Sequence, residues 1–238
     1  MKVNSLLPSR RVEELWLWFF PRRCVWCRGV TEPASMLCPA CEPEAASRRL
    51  GGTLLPGTRT PLVSVFPYRS KVSGILLNFK FHGGRGYAHS IGYAMGDELM
   101  QAMVLPEDKT RDNPAGWLLC PVPMTAKQVK ARGYNQSALL AQAAARWAGA
   151  AYAPGLLVKL RETQVQRSLP AAQREENVRD AFAAAQPKRI RGSKIVLCDD
   201  ICTTGATLRA CAKALEEAGA GEILCLTFLH TLEEKSDG

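Results

Sequence analysis

The sequence predicts an α/β protein in which helices flank a mostly parallel sheet, with a small four-cysteine module before it. Residues 194–198, 206–218 and 222–229 read as strand, helix and strand in that order. This order is typical of a right-handed crossover between two parallel strands. Apolar runs at residues 62–68 and 117–122 supply further strands, and four cysteines are grouped between residues 24 and 41.

The composition predicts a soluble chain with one ordinary core and a smaller appendage. The chain has 238 residues, of which 47% are hydrophobic. Its longest apolar runs, at 15–20 and 117–122, are far shorter than the about 20 residues that cross a bilayer. Glu13 and Glu14 interrupt the segment that would be apolar in a signal peptide. We therefore expect no membrane insertion and a cytoplasmic location.

The charge is positive and unevenly distributed. The sequence has 31 Lys and Arg against 22 Asp and Glu. Residues 45–96 and 113–161 contain basic side chains but no carboxylate. Such regions favour an anionic ligand, and the alternative is an ordinary basic surface.

The grouped cysteines predict a zinc site. Cys24 and Cys27 form one CxxC motif, and Cys38 and Cys41 form a second one ten residues further on. Two convergent thiolate pairs match the tetrahedral ligand set of zinc, and four thiolates leave no open position for catalysis. We therefore predict a structural zinc held by these four cysteines; a redox dithiol pair and an iron–sulfur cluster are the alternatives. The five other cysteines are scattered singly, which favours reduced thiols.

The module is assigned to residues 1–50 and a second domain, with its own core, to residues 61–238. The elements between and after them follow from apolar runs, helical periodicity and Gly or Pro punctuation. In chain order we expect a linker at 47–61, a strand at 62–68, helices at 72–81 and 90–103, a strand at 117–122, a helix at 136–147, a mobile loop at 165–176, a strand at 194–198, a helix at 206–218 and a strand at 222–229.

The segment 195–208 is the most informative part of the chain. A buried strand ends in Asp199 and Asp200, and a Thr-Thr-Gly-Ala-Thr turn at 203–207 then opens a helix. The N–H groups and hydroxyls of such a turn, with the helix dipole behind them, form a pocket for a phosphate monoester. Gly205 lets the backbone approach the phosphate closely.

The two carboxylates next to that pocket are suited to the vicinal hydroxyls of a sugar or to indirect contact with Mg²⁺. The segment thus predicts recognition of a ribose 5-phosphate. It lacks the Gly-Lys-Ser/Thr of a P-loop and the Gly-x-Gly-x-x-Gly of a dinucleotide fold. The remaining alternative is a strand end followed by a capping threonine turn.

The segment 195–208 resembles the signature with which type I phosphoribosyltransferases bind 5-phosphoribosyl 1-pyrophosphate (PRPP). Together with the four-cysteine module, further motifs make nearly the whole chain similar to the ComF/GntX family of competence-associated phosphoribosyltransferases. These motifs are Phe-Lys-Phe at 79–81, Pro-Val-Pro at 121–123, Arg-Gly-Tyr-Asn-Gln at 132–136, Gln-Arg-Ser at 166–168 and Arg-Glu-Glu-Asn at 174–177.

The resemblance implies the type I phosphoribosyltransferase fold and a role for individual residues. Asp199 and Asp200 would hold the ribose hydroxyls of PRPP, with Mg²⁺ bound alongside the ligand. The 5-phosphate would be surrounded by Thr203, Thr204, Gly205, Ala206 and Thr207. Arg132, Lys127, Lys80 and Arg167 would contact the pyrophosphate. Asp199, Asp200 and Arg132 are the candidate catalytic residues.

The expected function is transfer of the phosphoribosyl group from PRPP with release of pyrophosphate, linked to DNA uptake or nucleotide metabolism. The expected ligand is PRPP or a related ribose 5-phosphate, and the sequence does not identify the acceptor. The alternative is a non-catalytic accessory protein of transformation with the same fold. Such a protein would bind single-stranded DNA or a DNA-uptake protein. A basic middle segment and a cationic cysteine module would serve that role.

Overall fold

A six-stranded sheet forms the centre of the molecule. The structure, a computed structural model, describes residues 24, 26–27, 29–32, 35, 37–46, 50–68, 72–73, 76, 87–103, 113–163 and 176–231. The strands are β1 (Gly51–Leu54), β2 (Pro61–Pro67), β3 (Trp117–Pro121), β4 (Ala151–Tyr152), β5 (Leu157–Lys159), β6 (Phe182–Ala184), β7 (Lys194–Cys202) and β8 (Glu222–His230). The helices are α1 (Glu42–Ala46), α2 (Tyr87–Ala102), α3 (Ala126–Arg132), α4 (Gln136–Ala148), α5 (Pro187–Ile190) and α6 (Ala206–Glu217).

The main sheet has the strand order β1-β2-β8-β7-β3-β4. Only the edge pair β1 and β2 is antiparallel, and the other four pairings are parallel. β5 and β6 form a separate antiparallel pair. The predicted α/β class with a mostly parallel sheet is therefore confirmed.

Strand β7 is buried on both faces because helices cover both sides of the sheet. Val196 and Cys198 pack in a cluster with side chains of α2 and α4. Ile195 and Leu197 pack in a second cluster with α6 and the β5–β6 pair. A continuous apolar run is the sequence pattern that such a two-sided position requires.

Several predicted elements agree with the structure to within a few residues. The expected strand at 62–68 lies at 61–67, and the expected helix at 136–147 lies at 136–148. β7 is longer than expected: it continues from Lys194 to Cys202, so Asp199 and Asp200 lie within the strand. Its parallel neighbour β8 extends equally far, with Cys202 opposite His230, which supports the extra residues. Most of the expected helix at 72–81 and of the expected loop at 165–176 lies outside the described residues.

The expected linker at 47–61 is in part a strand. Gly51 to Leu54 pair with Pro61 to Ser64 and form the edge of the sheet. Their Gly, Thr and Leu composition resembles a linker, and pairing with β2 is what makes the segment extended.

The cysteine module packs directly on the sheet. Cys24, Leu37 and Ala45 are buried in the same cluster as Phe66 of β2. The Trp26 ring lies 6.0 Å from the Phe66 ring, and its Nε1 donates to Glu44 at 3.0 Å. The boundary between domains 1–50 and 61–238 stays a prediction, but the described core is continuous across it. None of the described helices is both long and apolar enough to span a membrane.

Helices α2 and α4 approach closely because α2 has glycine at the contact. A Cβ atom at Gly92 would lie 2.4 Å from the Cβ of Ala143 and 3.0 Å from the carbonyl oxygen of Leu140. At Gly96 a Cβ would lie 2.9 Å from Cδ1 of Trp147. The two helices can therefore pack at this distance only if these positions lack side chains.

We expect Gly92→Ala to destabilise the protein by about 1–3 kcal/mol, because overpacking outweighs the about 1 kcal/mol that alanine contributes in a helix. Urea unfolding would measure the change. Adding Ala143→Gly removes the opposing methyl group, so the double variant should lose less stability than the sum of the single changes. Strict additivity would contradict a direct contact between these positions.

Candidate functional site

The loop between β7 and α6 presents a helix N-terminus without a side-chain cap. Gly205 is the N-cap residue of α6, with φ +76°, and contributes no side-chain cap to the first turn. The Oγ1 atom of Thr204 is buried and has no hydrogen-bond partner among the described residues. Thr203 and Thr207 are half-buried beside it. The N–H groups at the start of a helix and the helix dipole are what an anion-binding turn provides.

The two carboxylates lie just before this loop, and Asp199 is held in place. Its Oδ1 accepts from the Ser137 hydroxyl at 2.7 Å and from the Asp200 backbone N–H at 2.8 Å. Asp200 is buried, with 6% of its surface exposed. The two hydrogen bonds to Asp199 partly replace the hydration that a half-buried carboxylate loses.

The Arg-Gly-Tyr-Asn-Gln motif links α3 to α4 and is fixed at both ends. Gly133, with φ +84°, ends α3, and Asn135 caps α4. The Asn135 side chain also donates to the carbonyl of Val122, just after β3, at 3.0 Å. The Arg132 side chain donates to Gln136 Oε1 at 2.9 Å. Because Ser137 in the first turn of α4 contacts Asp199, this motif lies beside the two aspartates.

The predicted pyrophosphate residues differ in what the structure describes of them. Arg132 is exposed and adjoins the start of α4. Lys127 is exposed in the first turn of α3, and no described contact joins it to the aspartates. Lys80 and Arg167 lie outside the described residues.

Lys159 in β5 is a half-buried cation that the sequence did not single out. Its Nζ donates to Thr163 Oγ1 at 2.9 Å and lies 5.6 Å from the centre of the Phe182 ring. Burial lowers the pKa of Lys159, and the carboxylates of Glu162 and Asp199 oppose that shift. The charge of Lys159 thus belongs to the electrostatic surroundings of Asp199.

Ser137 was also missed, although it directly follows the Arg-Gly-Tyr-Asn-Gln motif at a helix start. Its position next to that motif is the sequence signal that could have identified Ser137 as a site residue. Lys159 gave none, because its proximity to Asp199 arises only in the folded chain. Cys202, next to the loop, is a packed residue with 1% exposure, and burial raises its pKa to about 12.

The four cysteines of the module converge on one point. The ligand atoms of Cys24, Cys27, Cys38 and Cys41 all lie within 4.8 Å of one another, and the sulfurs of Cys27 and Cys38 are 3.7 Å apart. Two sulfurs at the corners of a tetrahedron around zinc, each about 2.3 Å from it, are about 3.8 Å apart. The cluster has the size of a tetrahedral thiolate site.

Hydrogen bonds and charge in the cluster also fit a cation. The N–H groups of Trp26 and Gly29 point at the sulfurs of Cys24 and Cys27, each at 3.4 Å. Burial acts to raise the pKa of Cys24, but N–H groups of Cys27, Cys38 and Trp26 outweigh it and lower the pKa to about 7. Desolvation and the three other thiols raise the pKa of Cys41 to about 12. A cation bound among the four sulfurs would offset the repulsion between thiolates.

Comparison with known proteins gives a domain and a set of relatives. Residues 138–237 match the phosphoribosyl transferase domain. The DNA utilization protein YhgH of Salmonella typhimurium is 29% identical over 212 residues, which cover 88% of this chain and 90% of the relative. Competence protein F of Haemophilus influenzae is 27% identical over 223 residues, covering 86% and 95% of the two chains.

Two more distant similarities complete the comparison. Competence protein ComFC of Bacillus subtilis is 28% identical over 169 residues, or 71% of this chain and 63% of that protein. Among solved structures, the glutamine phosphoribosylpyrophosphate amidotransferase of B. subtilis overlays on 58% of this chain and 26% of its own, with 26% identity and a TM-score of 0.34. That overlay is too weak to carry a conclusion.

Both the domain match and the near full-length relatives agree with the resemblance seen in the motifs. Residues 138–237 carry a phosphoribosyl transferase domain, and most of the chain is similar to relatives named DNA utilization protein and competence protein F.

Proposed function

We propose that this protein binds PRPP together with Mg²⁺ and transfers its phosphoribosyl group to an acceptor, with release of pyrophosphate. The observation that carries the proposal is the end of β7, where Asp199 and Asp200 lie shortly before a loop and a helix whose N-cap residue is glycine. A phosphate on the loop and two carboxylates beside it match the two ends of a ribose 5-phosphate.

In this proposal the loop residues bind the 5-phosphate and the aspartates accept from the ribose hydroxyls. Ser137 and the Asp200 N–H hold one oxygen of Asp199, so the carboxylate is oriented before the ligand arrives. Such preorganisation reduces the reorganisation that the reaction requires. Mg²⁺, when bound with PRPP, would neutralise charge on the pyrophosphate.

Transfer would break the bond between C1 of ribose and the pyrophosphate oxygen, which leaves with the bonding electrons. The acceptor then forms its bond to C1 and loses its proton. Positive charge develops on the ribose ring, and the carboxylates of Asp199 and Asp200 would stabilise it. Arg132 would stabilise the departing pyrophosphate. Lys127, Lys80 and Arg167 are further candidates for this role.

A link to DNA is supported by the relatives named DNA utilization protein and competence protein F. The net charge of +9 is compatible with binding of single-stranded DNA, which is the second candidate function. The two functions differ in the residues on which they depend, because DNA binding relies on surface cations and not on the aspartates.

We propose that the cysteine cluster holds one structural zinc. Elemental analysis of the purified protein should find one zinc per chain. The double variant Cys27→Ser with Cys38→Ser should lose it, because only two thiolates remain. Cys211→Ala, which changes a buried cysteine of the other core cluster, is the control and should keep the metal. Iron in place of zinc, or full zinc content in the double variant, would contradict the proposal.

The double variant Asp199→Asn with Asp200→Asn should weaken PRPP binding at least about 100-fold, since two hydrogen bonds to charged groups are lost. Asparagine keeps an oxygen that accepts from Ser137, so the fold should persist. Calorimetry with PRPP and Mg²⁺ measures the affinity. Asp97→Asn is a matched control, because Asp97 accepts from Trp147 Nε1 on a remote part of the molecule.

The same variant separates the two candidate functions. Binding of a single-stranded oligonucleotide, measured by fluorescence anisotropy at several salt concentrations, should stay within about twofold of the wild type. Unchanged PRPP affinity in the double variant would refute the assignment of the aspartates. Absence of PRPP binding by the wild type, with DNA binding retained, would favour the accessory protein.

Arg132→Ala should weaken PRPP and pyrophosphate binding by about 1.5–3 kcal/mol, the scale of a hydrogen bond to a charged group. Ribose 5-phosphate lacks the pyrophosphate, so its affinity should hardly change. Arg132→Lys should recover only part of the loss because lysine lacks the planar fork. Lys130→Ala removes an exposed cation of the same helix and serves as the control. Equal weakening of PRPP and ribose 5-phosphate would show that Arg132 does not contact pyrophosphate.

A further inference from the structure

The turn between β1 and β2, residues 55–60, packs against the loop 203–207. Leu55 is fully buried. A Cβ atom at Gly205 would lie 3.0 Å from Cδ1 of Leu55 and 3.3 Å from Cδ of Pro56. A side chain at Gly205 would crowd both Leu55 and Pro56, so the loop and the turn are in close contact there.

Arg209 joins the same two segments by hydrogen bonds. It lies in the first turns of α6, where its backbone N–H donates to the Gly205 carbonyl at 2.8 Å. Its Nη1 donates to the carbonyl of Pro56 at 2.6 Å and to the carbonyl of Thr204 at 2.7 Å. Hydrogen bonds from a charged donor are shorter and stronger than neutral ones, so this guanidinium fixes the turn and the loop relative to each other.

The turn is itself a rigid support. Leu55 N–H donates to the Thr60 carbonyl at 2.9 Å, and both the N–H and the hydroxyl of Thr58 donate to the Leu55 carbonyl at 3.0 Å. The Thr60 N–H donates to the Thr58 hydroxyl at 3.1 Å. β2, which follows the turn, is paired on both sides in the sheet. The turn at 55–60 is therefore held rigidly by the sheet, and through its contact with the loop 203–207 it restricts the motion of that loop.

The contact to the Thr204 carbonyl has a direct consequence for the next N–H group. The Thr204 C=O and the Gly205 N–H belong to one planar peptide unit and point in opposite directions. Anchoring the carbonyl on Arg209 therefore aims the Gly205 N–H away from Arg209. That N–H belongs to the group of backbone donors proposed for the 5-phosphate.

We infer that the β1–β2 turn braces the phosphate loop through Arg209, which is a positioning residue for the site. This inference rests on the proposed function. Arg209 acts through the backbone of Thr204 and Gly205 and not by touching the ligand. Its loss should therefore weaken recognition of a phosphate monoester and leave the pyrophosphate contacts unaffected.

The first test measures the brace without a ligand. The ¹⁵N relaxation order parameter of the Gly205 N–H should be about 0.85 in the wild type and fall below about 0.6 in Arg209→Met, which keeps much of the aliphatic stem. Thr58→Val keeps the shape and charge of the turn but removes two of its hydrogen bonds, so it should lower the order parameter as well. Lys213→Met removes a cation one turn further along α6, and its Gly205 should stay rigid.

The second test measures binding by calorimetry with Mg²⁺ present. Arg209→Met should weaken ribose 5-phosphate about tenfold, the value that corresponds to about 1.4 kcal/mol, and leave pyrophosphate affinity within about twofold. Thr58→Val should weaken ribose 5-phosphate in the same direction, which a pure loss of positive charge does not explain. Lys213→Met should change neither affinity.

The outcomes separate this inference from the function on which it rests. A rigid Gly205 in both Arg209→Met and Thr58→Val would overturn the brace. A mobile Gly205 with unchanged ribose 5-phosphate affinity, or an equal effect of Lys213→Met, would overturn the role of Arg209 in binding. A mobile Gly205 in these variants, together with a wild type that binds neither ribose 5-phosphate nor PRPP, would support the brace and refute the proposed function.

Discussion

The burial of β7 between two helical layers is the constraint on which the candidate site depends. Ile195, Val196, Leu197 and Cys198 have no exposed surface, and the strand pairs with β3 on one side and β8 on the other. A slip of one residue would misfit the side chains packed in the two core clusters and turn Asp199 and Asp200 to the opposite faces, so the register of the strand is strongly specified. Its last residues, including Asp199 and Asp200, are therefore delivered to a fixed place.

The same burial imposes a cost that the site has to offset. A carboxylate taken out of water is unfavourable unless hydrogen bonds replace its hydration. Ser137 supplies one of them to Asp199 from α4, which is itself capped by Asn135. The contact joins the end of β7 to the motif that carries Arg132. The Ser137 hydroxyl therefore has two effects. It offsets the cost of burying the Asp199 carboxylate, and it holds that carboxylate beside the motif proposed to bind the pyrophosphate.

The sequence predicted the elements that have a clear local pattern of apolar and polar residues. β7, α6 and β8 follow from apolar runs, a glycine boundary and helical periodicity, and the loop between them follows from its unusual residue order. β1 was missed because Gly51, Gly52 and Thr53 have no strand pattern of their own and are extended only by pairing with β2. β5 and β6 have three residues each, too few for a period to be recognised.

Site residues that are adjacent in sequence could be predicted, but contacts between residues that are distant in sequence could not. Asp199, Asp200 and the threonine turn are adjacent in sequence, so their joint chemistry could be inferred. Ser137 is 62 residues away from Asp199, and Arg209 contacts Pro56 across 153 residues. Such contacts depend on the strand order β2-β8-β7-β3, which no local pattern determines.

The nine cysteines show how one residue type acquires two chemistries in a single chain. Five lie in the core, where burial raises the pKa of each thiol, to about 12 for Cys120 and Cys202. They stay neutral and add no negative charge below a site proposed for an anion. In the module, backbone N–H groups approach the sulfurs and lower the pKa of Cys24 to about 7, although burial acts against this. Hydrogen-bond donors around the sulfur therefore distinguish Cys24 from the core cysteines, whereas the pKa of Cys41 is raised to about 12, as it is for Cys120 and Cys202.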